Sequence, residues 1–171
     1  MTLFRRNRPD NANRVGWLFL AAGLVALSVA WSAEHWLGLV PCELCLWERW
    51  PWRVLSVIGF VLLAVPRRYA PPVAYVGIAC VTVSVGLAVL HAGVEYHWWP
   101  SPAPECRAPV FHGGDFRAWM ASLPQRPNKP CDSPDYVLGL PISMTEWGGL
   151  YACVVGILGA LGTSRLLRQL R

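Results

Sequence analysis

Residues 41–65 read PCELCLWERWPWRVLSVIGFVLLAV. From Leu46 to Val65 this stretch is long enough for the roughly 20 residues a helix needs to cross a bilayer, and it lacks strand-like alternation. Cys42 and Cys45 stand directly before it with the spacing C-x-x-C, and Glu48-Arg49 follows in the first turns. Charge at membrane depth is expensive and should have a task. The stretch therefore reads as a membrane helix with a thiol pair at its mouth and a guanidinium one turn further in.

Three more apolar runs flank it, at about Val15–Ala33, Val73–Leu90 and Trp147–Thr163. Each contains Gly or other small residues, which let helices approach closely in lipid. The composition agrees. Over 171 residues the chain is 54% hydrophobic and only 15% charged, with a mean hydropathy of +0.36; a soluble domain averages about 25% charged. The net charge of +5 does not mark a nucleic-acid surface, because the basic residues sit in short clusters between the apolar runs, and Lys129 is the only lysine. The expected fold is an all-α membrane protein: one integral domain over 1–171, an antiparallel four-transmembrane-helix bundle with spans at about 15–33, 46–65, 73–90 and 147–163.

Orientation follows from basic residues near the span ends. Arg5, Arg6, Arg8 and Arg14 precede the first span, Arg67 and Arg68 fill the turn between the second and third, and Arg165, Arg168 and Arg171 follow the fourth. These segments alternate to one side, which reads as cytoplasmic, with both termini there. Asp10 is the one acidic residue on that side. Trp31, Trp36, Trp47, Trp50, Trp52, Trp98, Trp99 and Trp147 cluster toward the other face, as an interfacial belt would. A cleaved signal peptide ending near Ser28-Val29-Ala30 is the competing reading of the first run, but the apolar stretch is long for one.

Two outer loops result, about 34–45 and 91–146. The second is long and holds nine of the fifteen prolines, which resist helix and sheet alike. Within it Asp115 can cap a short helix whose Phe116, Trp119, Met120 and Leu123 share one face, suited either to the membrane surface or to a small loop core.

At a helix start, backbone N–H groups and the dipole stabilise a thiolate. Cys45 lies in or just before that first turn, and Arg49 falls on the same face four residues on. Arg49 can lower the Cys45 pKa, hold an anionic ligand, or both. Glu48 can face the headgroups or pair with Arg53. Haem attachment is excluded, because Leu46 stands where His is required.

Cys106 and Cys131 are the cysteines of the long loop, so pairing within the loop is the simplest expectation. Closing that ring of about 26 residues costs roughly 3.5 kcal/mol of chain entropy. If the loop stays mobile, the disulfide becomes more oxidising by roughly 75 mV and its sulfurs stay accessible. A structural staple is the plainer alternative. Zinc is another, with His97 and His112 as possible substitutes, although Cys106 and Cys131 are too separated to form a knuckle. Cys80 and Cys153 lie inside apolar runs, where a thiol is inert packing.

The whole pattern resembles the disulfide bond formation protein B (DsbB) family. The resemblance rests on Cys42-Glu43-Leu44-Cys45 followed by Glu48-Arg49, on Trp99-Pro100-Ser101-Pro102 ahead of Cys106, and on Leu138-Gly139-Leu140 before the last run. The stretch Tyr96–Glu105 is richer in Trp and Pro than the family pattern, and longer, so the reach of Cys106 depends on how it folds. The resemblance implies a protein-disulfide:quinone oxidoreductase of the bacterial inner membrane. Its cofactor would be ubiquinone or menaquinone, and its partner a periplasmic DsbA-like thioredoxin-fold oxidase. It further implies that Cys106 forms the mixed disulfide with that partner, that Cys131 is its mate, and that Cys42 exchanges disulfides between the loops. Cys45 would face the quinone beside Arg49, with His91 near the ring and Glu95 lining the same site. No resident metal is implied. Other readings are a four-helix thiol oxidase of the vitamin K epoxide reductase type, whose C-x-x-C would lie near the last span, a metal-binding membrane protein without turnover, and a scaffold with structural disulfides only.

Overall fold

The computed structural model describes residues 11–103, 106, 113–122, 129–136 and 139–170. Arg5, Arg6, Arg8, Asp10, Glu105, His112, Leu123, Leu138 and Arg171 lie outside the described residues. The elements are helices α1 (Asn11–Trp36), α2 (Glu43–Ala64), α3 (Ala70–Glu95), α4 (Phe116–Ser122) and α5 (Met144–Leu170), with one 3-10 turn at Arg67–Tyr69. No β-strand occurs among the described residues, only an isolated bridge between Tyr136 and Ser143.

Among the described residues, three helical stretches are long and apolar enough to cross a membrane, by length and composition: Asn11–Trp36, Arg67–Glu95 and Met144–Gln169. Helix α2 has 22 residues, but Glu43, Glu48, Arg49 and Arg53 make its first half more polar than the others. Large apolar side chains such as Val25, Val29, Val57, Phe60, Val76, Val83, Ile157 and Leu158 point outward from all four long helices. A soluble protein rarely exposes apolar surface so continuously.

The helices pack α1 against α2, α2 against α3, α3 against α5 and α5 against α1. Lipid tails are as apolar as Leu, so close packing, not water exclusion, holds such helices together. The α1–α2 contact shows this. A Cβ on Gly59 would run into the Leu20 backbone, and one on Gly23 into Ser56 and the Trp52 carbonyl. The Phe19 ring, fully buried, fills the space left by Gly77 of α3 and Gly159 of α5. Tyr151 of α5 donates to the Ala22 carbonyl of α1 at 3.1 Å. Trp52 belongs to this core, 7% exposed, whereas Trp31, Trp36, Trp47, Trp50, Trp98, Trp99 and Trp147 are exposed. The tryptophan belt therefore loses one member, because Trp52 packs on Tyr151 with ring centroids 5.3 Å apart.

Helix ends aim the connections. Helix α3 closes with His97 in the left-handed region (φ 59°), while the N–H groups of His97 and Trp98 donate to the carbonyls of Val94 and Gly93. This is a Schellman-type stop. It folds the Trp- and Pro-rich segment back along α3. Trp99 then donates its indole N–H to the Leu90 carbonyl at 3.0 Å and lays its ring on Gly93. Helix α5 opens on a capping box: the Ser143 N–H donates to Glu146 and the Glu146 N–H donates to Ser143 Oγ. In α4, the Asp115 carboxylate accepts the Arg117 N–H at 2.9 Å.

Candidate active site

Helix α2 begins at Glu43, so Cys42 itself is the N-cap. Its Sγ accepts the Cys45 backbone N–H at 3.2 Å, and the two sulfurs lie 2.7 Å apart. The Cys42 thiol is held below its ordinary range. The first cause is the hydrogen bond from the Cys45 thiol; burial opposes it, and the Cys45 N–H adds to it. The helix-end argument points to Cys45 as the thiolate; in the structure the N–H at the helix start is turned to Cys42 Sγ.

Cys106 and Cys131 form a disulfide, with Cα atoms 5.0 Å apart. Its half-cystines are 5% and 1% exposed, and they share one buried cluster with Cys42, Leu44, Val94 and Ala103, with Cys45 and Leu90 packed against it. The expectation that the sulfurs are accessible is thus corrected. The fold-back through Trp99 carries the segment onto the ends of α2 and α3, where apolar neighbours cover both sulfurs.

Arg49 is turned to Glu34 at the end of α1, with which it forms an ion pair. Both side chains are largely buried. They line a cavity of about 290 Å³ together with Cys45, Glu48, Trp52, Trp147 and mostly apolar residues of α1. His91 and Glu95 are not among the lining residues. His91 is 2% exposed and sits behind the thiols. Its Nε2 is 3.5 Å from Cys42 Sγ, and its Nδ1 is 3.0 Å from Glu48 Oε1 and 3.2 Å from Thr145 Oγ1. Thr145 donates onward to Glu95 at 2.7 Å. Glu48 therefore pairs with His91, not with Arg53, whose guanidinium lies over the Trp50 ring. Sequence reasoning missed Thr145 and Glu34, and it missed His91 as the partner of Glu48. An acid on a membrane helix beside a histidine one helix away was the available signal for that pairing. Cys80 donates to the Pro51 carbonyl at 3.1 Å, and Cys153 is exposed on the bundle surface, so neither joins the site.

Two sulfur pairs share one cluster, one of them bonded and the other at a helix start, an arrangement suited to thiol–disulfide exchange. The family model described as "Disulfide bond formation protein DsbB" matches residues 12–162. The chain belongs to the DsbB family. Named relatives are disulfide bond formation protein B of Neisseria meningitidis serogroup B, 30% identical over 81% of this chain and 87% of its own length, and that of Aeromonas hydrophila, 29% identical over 80% of this chain and 79% of its own. The protein of the same name in Vibrio vulnificus is 32% identical over 62% of each chain. No solved structure matches the chain. As a member of the DsbB family this chain is a disulfide oxidoreductase and, with three span-capable helices, a membrane protein.

Proposed function

We propose that this chain reoxidises a periplasmic thioredoxin-fold oxidase of the DsbA type and passes the electrons to membrane quinone, ubiquinone or menaquinone. The observation that carries this reading is the single buried cluster of Cys106–Cys131, Cys42 and Cys45, with Cys45 also on the wall of an apolar cavity. In this account α2 is the fourth span, and both sulfur pairs face the periplasm. Arg14, Arg67, Arg68, Arg165 and Arg168 sit at the far ends of the helices, which fits cytoplasmic termini in the bacterial inner membrane. Helix α4, with Phe116 and Met120 exposed, suits the membrane surface.

The partner's thiolate attacks Cys106 and releases Cys131; its second thiol then resolves the mixed bond. One disulfide has moved out, and two electrons and two protons have moved in. One thiolate of the resulting dithiol attacks the Cys42–Cys45 disulfide at Cys42, and Cys45 leaves as the thiolate beside the cavity; the second loop thiolate then displaces Cys42, so that Cys106–Cys131 re-forms and Cys42 and Cys45 are left reduced. The exchange needs no long movement, because the two pairs already share their neighbours. Burial of Cys106 and Cys131 means that the partner must lift the covering segment before it can attack.

The cavity fits a quinone ring in its chemistry: apolar walls for a lipid-soluble ligand, and Arg49 as an N–H donor for a carbonyl oxygen. A quinone bound there would supply the two-electron, two-proton sink that makes oxidation of a strongly oxidising partner downhill. Glu34 holds the Arg49 fork in place. Glu48 and Thr145 fix the His91 ring behind Cys42, where it can take or return a thiol proton.

The test uses the purified full chain in catalytic amount with a reduced periplasmic thioredoxin-fold oxidase and quinone. Quinol should appear in step with loss of partner thiols. Partner oxidation with no quinol, or no partner oxidation at all, contradicts the reading.

A further inference from the structure

Cys42 Sγ, Cys45 Sγ and a nitrogen of His91 lie within 4.8 Å of one another. The relay uses the thiols as redox groups, but in the dithiol state the same three atoms are a ligand set. We propose that the reduced Cys42–Cys45 pair, together with His91, binds one thiophilic divalent cation of the zinc class, and that this holds the pair out of disulfide exchange.

The geometry supports this at each ligand. With Zn–S about 2.3 Å and Zn–N about 2.0–2.1 Å, tetrahedral coordination sets a sulfur and a nitrogen roughly 3.6 Å apart. Cys42 Sγ and His91 Nε2 already stand 3.5 Å apart. Two thiolate sulfurs on one zinc stand roughly 3.8 Å apart, so the pair, now at 2.7 Å, opens by about 1 Å through side-chain rotation. The remote nitrogen of His91 holds the Glu48 carboxylate at 3.0 Å. That carboxylate–histidine pairing is the outer arrangement that orients and strengthens metal-binding imidazoles. Thr145 supports the same nitrogen at 3.2 Å. Glu95 adds negative charge, with its Oε1 3.8 Å from His91 Nε2. The fourth position is left to water.

Binding forms two metal–sulfur bonds and one metal–nitrogen bond and releases the two thiol protons to solvent. No electrons move. The disulfide form offers no thiolates and cannot bind in this way, so the site exists only between arrival of electrons at the pair and their departure. The proposal rests on the ligand geometry and stands whether or not quinone is the final acceptor.

The experiment takes the full chain in detergent, with Cys80, Cys106, Cys131 and Cys153 all replaced by Ser, so that Cys42 and Cys45 are the sole thiols. Zinc uptake is measured by equilibrium dialysis, and the site is read with cobalt(II), whose spectrum reports both tetrahedral geometry and thiolate ligation. The reduced protein should take up one equivalent with a tetrahedral, thiolate-ligated cobalt spectrum; the Cys42–Cys45 disulfide form should take up none. Glu48→Gln should weaken zinc binding about 10–100-fold, and His91→Ala should remove the tetrahedral spectrum. If His91→Ala misfolds, as shown by thermal unfolding, the Glu48→Gln titration carries the test. Equal uptake by the disulfide form, an octahedral cobalt spectrum, or an unchanged affinity in Glu48→Gln would each overturn the proposal. Turnover measured with a chelator present tests the relay separately.

Discussion

His91 Nδ1 stands 3.0 Å from Glu48 Oε1 across the α2–α3 contact, and the same ring brings Nε2 to 3.5 Å from the Cys42 sulfur. A buried imidazole with both nitrogens engaged is a fixed object, and the thiol pair is built against it.

That fixation makes Thr145 a structural test. Its hydroxyl bridges His91 and Glu95. Thr145→Val keeps the shape and removes the bridge, leaving Glu95 short of a donor. Stability should fall by about 1–3 kcal/mol, the cost of stranding a buried polar group. Thermal unfolding in detergent measures it, and an unchanged midpoint would show that the bridge contributes nothing.

The cap geometry predicts an order of thiol reactivity. In the reduced protein Cys42 carries the lower pKa, so its thiolate persists to lower pH than an ordinary cysteine's, near 8.5. The main cause is the Cys45 thiol. Cys45→Ala should therefore shift the pH midpoint of Cys42 alkylation upward. A midpoint that stays in place would assign the effect to the helix end instead.

Much of the fold was legible because its signals are local. Apolar runs, arginine clusters and the C-x-x-C spacing are each properties of neighbouring residues, and α1, α3 and α5 contain the runs read at 15–33, 73–90 and 147–163. What escaped were pairings between helices. Glu48 looks from sequence like a partner for Arg53, five residues on. It faces α3 instead, because the side of α2 that carries Cys42 and Cys45 turns inward. The burial of Cys106 and Cys131 escaped for a similar reason. A Pro-rich loop reads as open chain, and only the His97 turn and the Trp99 indole bond reveal that it folds back.

Close packing of α1 on α2 should be intolerant of side chains. Gly59→Val would push a branched side chain into the Leu20 backbone. A loss of about 1–3 kcal/mol, or failure to assemble, is expected from overpacking. Gly86, where a Cβ meets nothing within 4 Å, serves as the control, and Gly86→Ala should be near neutral or slightly stabilising. Equal behaviour of the two variants would contradict the packing account.

Arg49 and Glu34 should act as a unit. Removing either leaves the other charge unpaired beside the cavity, at a cost of roughly 1–3 kcal/mol for a stranded buried polar group. The double variant Glu34→Gln/Arg49→Gln should be more stable than the sum of the singles predicts, while apparent quinone affinity falls in every variant that lacks Arg49. Additive stabilities would show the two side chains to be independent.

In the proposed route, electrons leave the protein through Cys45. The most direct measurement is single-turnover quinone reduction by the full chain carrying Cys106→Ser and Cys131→Ser, with Cys42 and Cys45 reduced beforehand. One quinol per protein is expected, and its formation should vanish with Cys45→Ser while replacement of Cys80 and Cys153 changes nothing. Quinol formed at an undiminished rate in Cys45→Ser would contradict the route.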